Sequence, residues 1–230
     1  MWSFVRRFGC TAVAALGLLL WSGNTAGGSL ALPPPDNPFA GYSTGGSVPS
    51  SASATFVVPT FACTGVQEDL FGVNILWSDT TNGQGQDSVL VNCSGAGAAP
   101  KFTTLVIATG NASTNLIVAP GNKLRASISG SATTSSKAQL VDVTTGERVT
   151  VVGPAPLVNA AHGASFTVLR NIDPTTPTFS PLTFRAMTVN GVLLTTATSS
   201  VAVMTSASSV VQAQPKPITA GTGVIVFKHS

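Results

Sequence analysis

Residues 123–128 read KLRASI, and residues 138–152 read AQLVDVTTGERVTVV. In the first stretch Leu124, Ala126 and Ile128 alternate with Lys123, Arg125 and Ser127. That period of two is the pattern of a strand with one face buried. In the second, Ala138 to Val143 and Arg148 to Val152 flank Thr145-Gly146-Glu147, a hairpin signature. Similar short runs lie on both sides. Ala52 to Val58 is closed by Pro59, and Leu70 to Trp77 carries an embedded Asn74. Val89 to Val91, Phe102 to Ala108 and Asn115 to Val118 follow. Ser165 to Leu169, Thr183 to Val189, Ser200 to Thr205 and Thr222 to Lys228 complete the set, with Gln212 to Pro217 expected as a linker. The one helical period, Ala12 to Leu20, lies in the leader. Many short strands separated by turn residues predict an all-β sandwich or barrel.

The chain has 230 residues, enough for one domain with a sizeable core, and 43% of them are hydrophobic. Only 8% are charged, against about a quarter in ordinary soluble domains. Hydroxyls and glycine take their place, as suits an exported protein. Arg6 and Arg7, followed by the largely apolar Cys10–Trp21 run and Ser29-Leu30-Ala31, read as a signal peptide over residues 1–31. Its apolar run is too short for the roughly 20 residues that span a bilayer, a retained anchor being the alternative. A Pro-rich spacer over 32–38 and a domain over 39–230 follow, expected to be secreted or extracytoplasmic. Beyond the leader, nine basic residues are scattered from Lys101 to Lys228 against eight acids. No basic stripe is visible, which argues against nucleic acid as a partner.

The remaining cysteines, Cys63 and Cys93, form an even pair, so a disulfide is expected; two buried thiols are the alternative. Asn92-Cys93-Ser94 and Asn111-Ala112-Ser113 match the glycosylation pattern.

Several segments, in order, resemble the glutamic peptidase (eqolisin) family. They are Asn37-Pro38-Phe39-Ala40-Gly41-Tyr42, Ser53 to Pro59, Leu70-Phe71-Gly72-Val73-Asn74, Gln86-Asp87-Ser88-Val89 and Ile117 to Asn122. Leu140 to Glu147, Ala164 to Leu169 and Phe179 to Phe184 continue the series. The resemblance runs from about Phe39 to the end. It implies two antiparallel sheets packed as a curved, concanavalin-like sandwich with a substrate groove on the concave face. It also implies acid endopeptidase chemistry: a glutamate acts as general base toward water and then as proton donor to the leaving amine, while a glutamine amide stabilises the oxyanion.

Gln86 falls at the family's glutamine, with Gln84 as the alternative if the alignment slips. The glutamate falls on Leu169, which can neither accept nor donate a proton. The family's supporting aspartate falls on Asn74, and a groove tryptophan falls on Leu70. Gln86, Asn74, Leu70 and Leu169 are therefore the expected groove residues. Glu68 and Asp173 are the candidates for a relocated acid; Glu147 belongs to a hairpin turn. Asp87 should point away from any groove that Gln86 faces, because adjacent strand residues face opposite sides.

His162 and His229 are far apart and form no metal-binding cluster, no nucleophile elbow or phosphate loop is present, and no cofactor is expected. Three readings follow. One is a catalytically impaired relative, monomeric and free of the membrane once the leader is removed, whose groove binds a peptide, a polypeptide or another extracellular ligand such as a glycan, or serves a structural role. Another is an active acid endopeptidase with a relocated carboxylate. The last is a carbohydrate-binding module using Tyr42, Phe71 and Trp77.

Overall fold

The computed structural model describes residues 36–78, 83–159, 162–170, 179–206 and 208–228. The leader and most of the spacer lie outside them. Among the described residues sixteen strands succeed one another. The first eight are β1 (Phe39–Thr44), β2 (Ser51–Val57), β3 (Val66–Leu76), β4 (Gln84–Ser94), β5 (Lys101–Ala108), β6 (Asn111–Ser113), β7 (Lys123–Ser131) and β8 (Thr134–Asp142). The rest are β9 (Arg148–Gly153), β10 (Gly163–Arg170), β11 (Leu182–Val189), β12 (Val192–Leu193), β13 (Ser200–Ala202), β14 (Met204–Thr205), β15 (Val211–Pro215) and β16 (Gly223–Phe227).

They form two antiparallel sheets. One has seven strands in the order β13-β1-β10-β3-β4-β5-β6. The other has nine, β14-β15-β16-β11-β2-β7-β8-β9, with β12 on β11. The expected all-β, two-sheet sandwich is the observed fold. Its inner faces are filled by alternate residues of each strand, as period-two patterning requires. Phe71, Val73, Val89, Val91, Phe166 and Val168 come from the first sheet; Phe56, Leu124, Ile128, Leu140 and Phe184 come from the second. Phe56 meets Phe71 edge-on at 5.8 Å and Phe184 at 5.5 Å, tying the sheets together. Burying each such ring contributes about 2–3 kcal/mol.

Cys63 and Cys93 are bonded, with Cα atoms 5.6 Å apart. The bond joins the loop before β3 to the end of β4, across the open end of that hairpin.

Three expectations are corrected. Residues 115–118 are not a strand: the Thr104 hydroxyl donates to the Leu116 carbonyl at 2.9 Å and accepts from the Leu116 N–H at 3.2 Å, replacing a sheet ladder. Leu116 and Val118 are buried in the core all the same. The supposed linker at 212–217 is mostly β15, paired to β14 and β16, its proline at the strand end where a missing N–H is tolerated. Finally, 200–205 is two strands, β13 in one sheet and β14 in the other.

Candidate functional site

The face of the seven-stranded sheet turned away from the core carries three cross-strand rows. The first is Phe39–Leu169–Leu70–Leu90–Thr103, largely apolar. Next comes Gly41–Thr167–Gly72–Ser88–Leu105, and then Ser43–Ser165–Asn74–Gln86–Ile107. Strand neighbours lie about 5 Å apart, and rows two residues apart along a strand are separated by about 7 Å. Phe39, Leu70, Leu169 and Ile107 are each less than a tenth exposed yet stand outside the core cluster, so the face is a shielded surface with an apolar end and a polar end.

Gly72 lets the central row close up. A Cβ there would stand 2.2 Å from the Asp87 carbonyl oxygen and 2.6 Å from Ser88 Cα. Gly41 does the same across β1 and β10, with the Phe166 carbonyl oxygen 2.3 Å from its Cβ position.

Gln86 does face outward, and only 4% of it is exposed. Its Nε2 donates to Ser88 Oγ at 2.8 Å, and that hydroxyl donates to the Leu105 carbonyl at 3.2 Å. One amide N–H of Gln86 is thereby held and the other is left to meet a ligand acceptor. Asn74 stands directly opposite Gln86, and its Nδ2 is buried without a hydrogen-bond partner among the described residues. A buried donor left unpaired is uncommon, and a bound water or a ligand acceptor would satisfy it.

The four expected groove residues thus share one face, but not one place. Leu169 pairs with Leu70, four residues along β10 from the row of Gln86, about 13 Å away. The β10 residue in the Gln86 row is Ser165. Sequence reasoning missed it because strand register, not segment similarity, sets which residues of β10 and β4 align. Replacing Gln86 with Gln84 changes little, since the row of Gln84 holds Leu76 and Gly163.

No described carboxylate joins the Gln86 row. Glu68 pairs with Asn92, six residues along β3 from Asn74 and so about 20 Å off. Glu147 sits in the β8–β9 turn of the other sheet. Asp173 lies outside the described residues. Asp87 points inward, as the strand alternation requires, and is fully buried. One of its oxygens accepts from the Ser127 N–H at 2.8 Å, while Oδ1 has no hydrogen-bond partner among the described residues. Burial pushes the Asp87 carboxyl up to about 8, against a smaller downward pull from the backbone of Ser127 and Gln139.

The sugar-binding reading loses its residues. Tyr42, Phe71 and Trp77 are all fully buried in the core. The Tyr42 hydroxyl contacts the carbonyls of Lys216 (2.7 Å) and Val224 (3.0 Å), and the Trp77 indole donates to the Pro49 carbonyl. No group of three metal-ligating side chains occurs among the described residues.

No protein-family model matches the sequence, and comparison with curated proteins finds no sequence match. Solved structures do match the fold. Scytalido-glutamic peptidase with a peptide-based transition-state analogue superposes with a TM-score of 0.67 at 14% identity, covering 83% of this chain and 98% of that one. SCP-B, a member of the eqolisin family in complex with the tripeptide Ala-Ile-His, gives 0.65 at 15% identity, with the same coverage. Aspergilloglutamic peptidase from Aspergillus niger gives 0.51 at 12% identity, covering 69% of this chain and 99% of that one. The chain has the fold of the glutamic peptidases.

Proposed function

We propose that this chain is a catalytically impaired, exported relative of the glutamic peptidases whose outward face on the seven-stranded sheet binds an extended polypeptide without cleaving it. The observation that carries this reading is the composition of the Gln86 row: Ser165, Asn74, Gln86 and Ile107, with amides and a hydroxyl and no described acid. Peptide hydrolysis at such a face needs a group that takes a proton from water and returns it to the leaving amine. Amides and a serine hydroxyl without a base supply hydrogen bonds but no proton transfer.

Binding is served by what is left. The unpaired Nδ2 of Asn74 and the second N–H of Gln86 offer donors to peptide carbonyls. Leu169, Leu70 and Leu90, one end of the same face, offer an apolar strip to a side chain about 13 Å along. Two solved relatives by fold hold a peptide-based analogue and a tripeptide, which supports a peptide as the ligand class. The Cys63–Cys93 bond fits an oxidising compartment, and therefore export.

The test is equilibrium binding of a fluorescent peptide library to the purified protein, beside Gln86→Ala and Leu70→Asp variants. Retained, intact peptides whose affinity falls about tenfold in each variant support the reading. Peptides that bind all three proteins equally would remove this face as the site.

A further inference from the structure

The nine basic residues beyond the leader look dispersed along the sequence, but the fold gathers five of them. On the nine-stranded sheet, Arg185 of β11 pairs with Thr55 of β2, Thr55 pairs with Arg125 of β7, Arg125 with Val141 of β8, and Val141 with Arg148 of β9. These residues form one row, and its three arginines stand on alternate strands, about 10 Å apart at two strand spacings. Lys123 lies one row to one side and Lys137 two rows to the other. Leu124, Ala126, Phe56, Leu140 and Phe184 alternate with this set and point into the core, so the cations point outward. All five are exposed. None of the five side chains forms an ion pair or hydrogen bond among the described residues. Of the described acids near this face, Glu147 is exposed in the β8–β9 turn, and Asp142, at the end of β8, is buried beneath it.

A cavity of about 450 Å³ opens on the same face. Thr55, Thr60, Ser180 and Thr183 line it with hydroxyls, and Lys123 and Arg185 supply charge. Five unneutralised cations on one sheet face repel one another, and an anionic partner relieves that repulsion while releasing its counterions.

We propose that this face is a docking surface for a linear anionic polysaccharide, held by Arg185, Arg125 and Arg148 along their row and by the cavity beside Arg185, where Val57, Pro59 and Pro181 meet a sugar's apolar face and Thr55, Ser180 and Thr183 its hydroxyls. The spacing favours that class. A polysaccharide carrying one carboxylate or sulfate per disaccharide presents anions on a repeat matching alternate strands, whereas phosphates follow one another far more closely along a nucleic acid strand. The hydroxyls of Thr55, Ser53, Ser127 and Thr183 suit sugar hydroxyls. Among the described residues no aromatic side chain on the outward face of these strands offers a base a stacking surface. The surface lies on the opposite sheet from Gln86 and does not rest on the reading of that site.

The experiment is titration of hyaluronate, a linear polysaccharide with one carboxylate per disaccharide, into the purified protein at low salt. The parent protein is compared with Arg125→Gln, Arg148→Gln and Arg185→Gln, with the triple variant, and with a Lys101→Gln/Lys216→Gln control. Unfolding midpoints of these surface variants confirm that each is folded. The expected result is a loss of about tenfold for each arginine, no measurable binding in the triple variant and parental affinity in the control. The proposal is overturned if the triple variant binds like the parent or if the lysine control loses as much as the arginine variants. Tighter binding of a single-stranded oligonucleotide, or of phosphatidylglycerol vesicles, at equal charge would likewise overturn it.

Discussion

Gln86 and Ser165 stand in one cross-strand row on the outer face of the seven-stranded sheet, with Asn74 between them. A residue at position 165 is therefore the one on β10 best placed to share a ligand with Gln86, at about 10 Å between backbones. Leu169, two rows away, is not.

That relation predicts which substitution supplies the missing acid. Ser165→Glu puts a carboxylate in the Gln86 row, at a position only 4% exposed, where desolvation raises its pKa into the range of a general acid and base. Acid-dependent cleavage of a denatured protein substrate, absent in the parent, is expected to appear at least ~10²-fold above the uncatalysed background and to vanish again in Ser165→Glu/Gln86→Ala. Leu169→Glu is expected to show no such gain. Equal gains from both would show that the row assignment is wrong.

Gly72 is a backbone requirement of the same site. Gly72→Ala forces a methyl group against the Asp87 carbonyl, which stands 2.2 Å from its place. Parting β3 from β4 is expected to cost about 1–3 kcal/mol in urea unfolding. A stability within error of the parent's would mean that the strands do not approach as closely as described.

Asp87 makes stability depend on pH. Its carboxyl titrates at about 8 in the folded protein and near 3.8 when free of it, so between these values the folded state holds a proton that the unfolded state has lost. Stability is therefore expected to be greatest in acid and to fall as pH rises from about 4 to about 8. Asp87→Asn keeps the shape, removes the titration and is expected to flatten that slope in thermal unfolding. A parental slope in the variant would place the pH dependence elsewhere.

Cys63→Ser/Cys93→Ser releases a closure of 30 residues. A loss of about 3–4 kcal/mol is expected on the chain-entropy account, read from denaturation midpoints, and reduction of the parent should match it. No change on reduction would mean that the bond restrains nothing the sheets do not already hold.

Much of the fold was legible because its strands keep strict alternation. Leu124, Ala126 and Ile128 point in, and Lys123, Arg125 and Ser127 point out, as the sequence alone implies. The failures have local causes. Leu116 is held by the Thr104 hydroxyl, a contact invisible to periodicity, and Gln212 to Pro215 are too polar to look like a strand. The candidate site was legible in kind but not in position. Gln86, Asn74, Leu70 and Leu169 do lie on one face, yet which of them align depends on strand register, which the sequence does not state. The arginine row was hidden for the same reason: Arg125, Arg148 and Arg185 are far apart in the chain and become neighbours only through β2 and β8.

The central claim, a peptidase fold without its proton-transfer group, is tested most directly by assaying the purified protein for endopeptidase activity on a denatured protein substrate across acidic pH, beside Gln86→Ala. The account predicts no cleavage at any pH by either protein. Acid-dependent cleavage by the parent that disappears in Gln86→Ala would contradict it, and would show that a carboxylate outside the Gln86 row, with Asp173 the first to replace, supplies the missing acid.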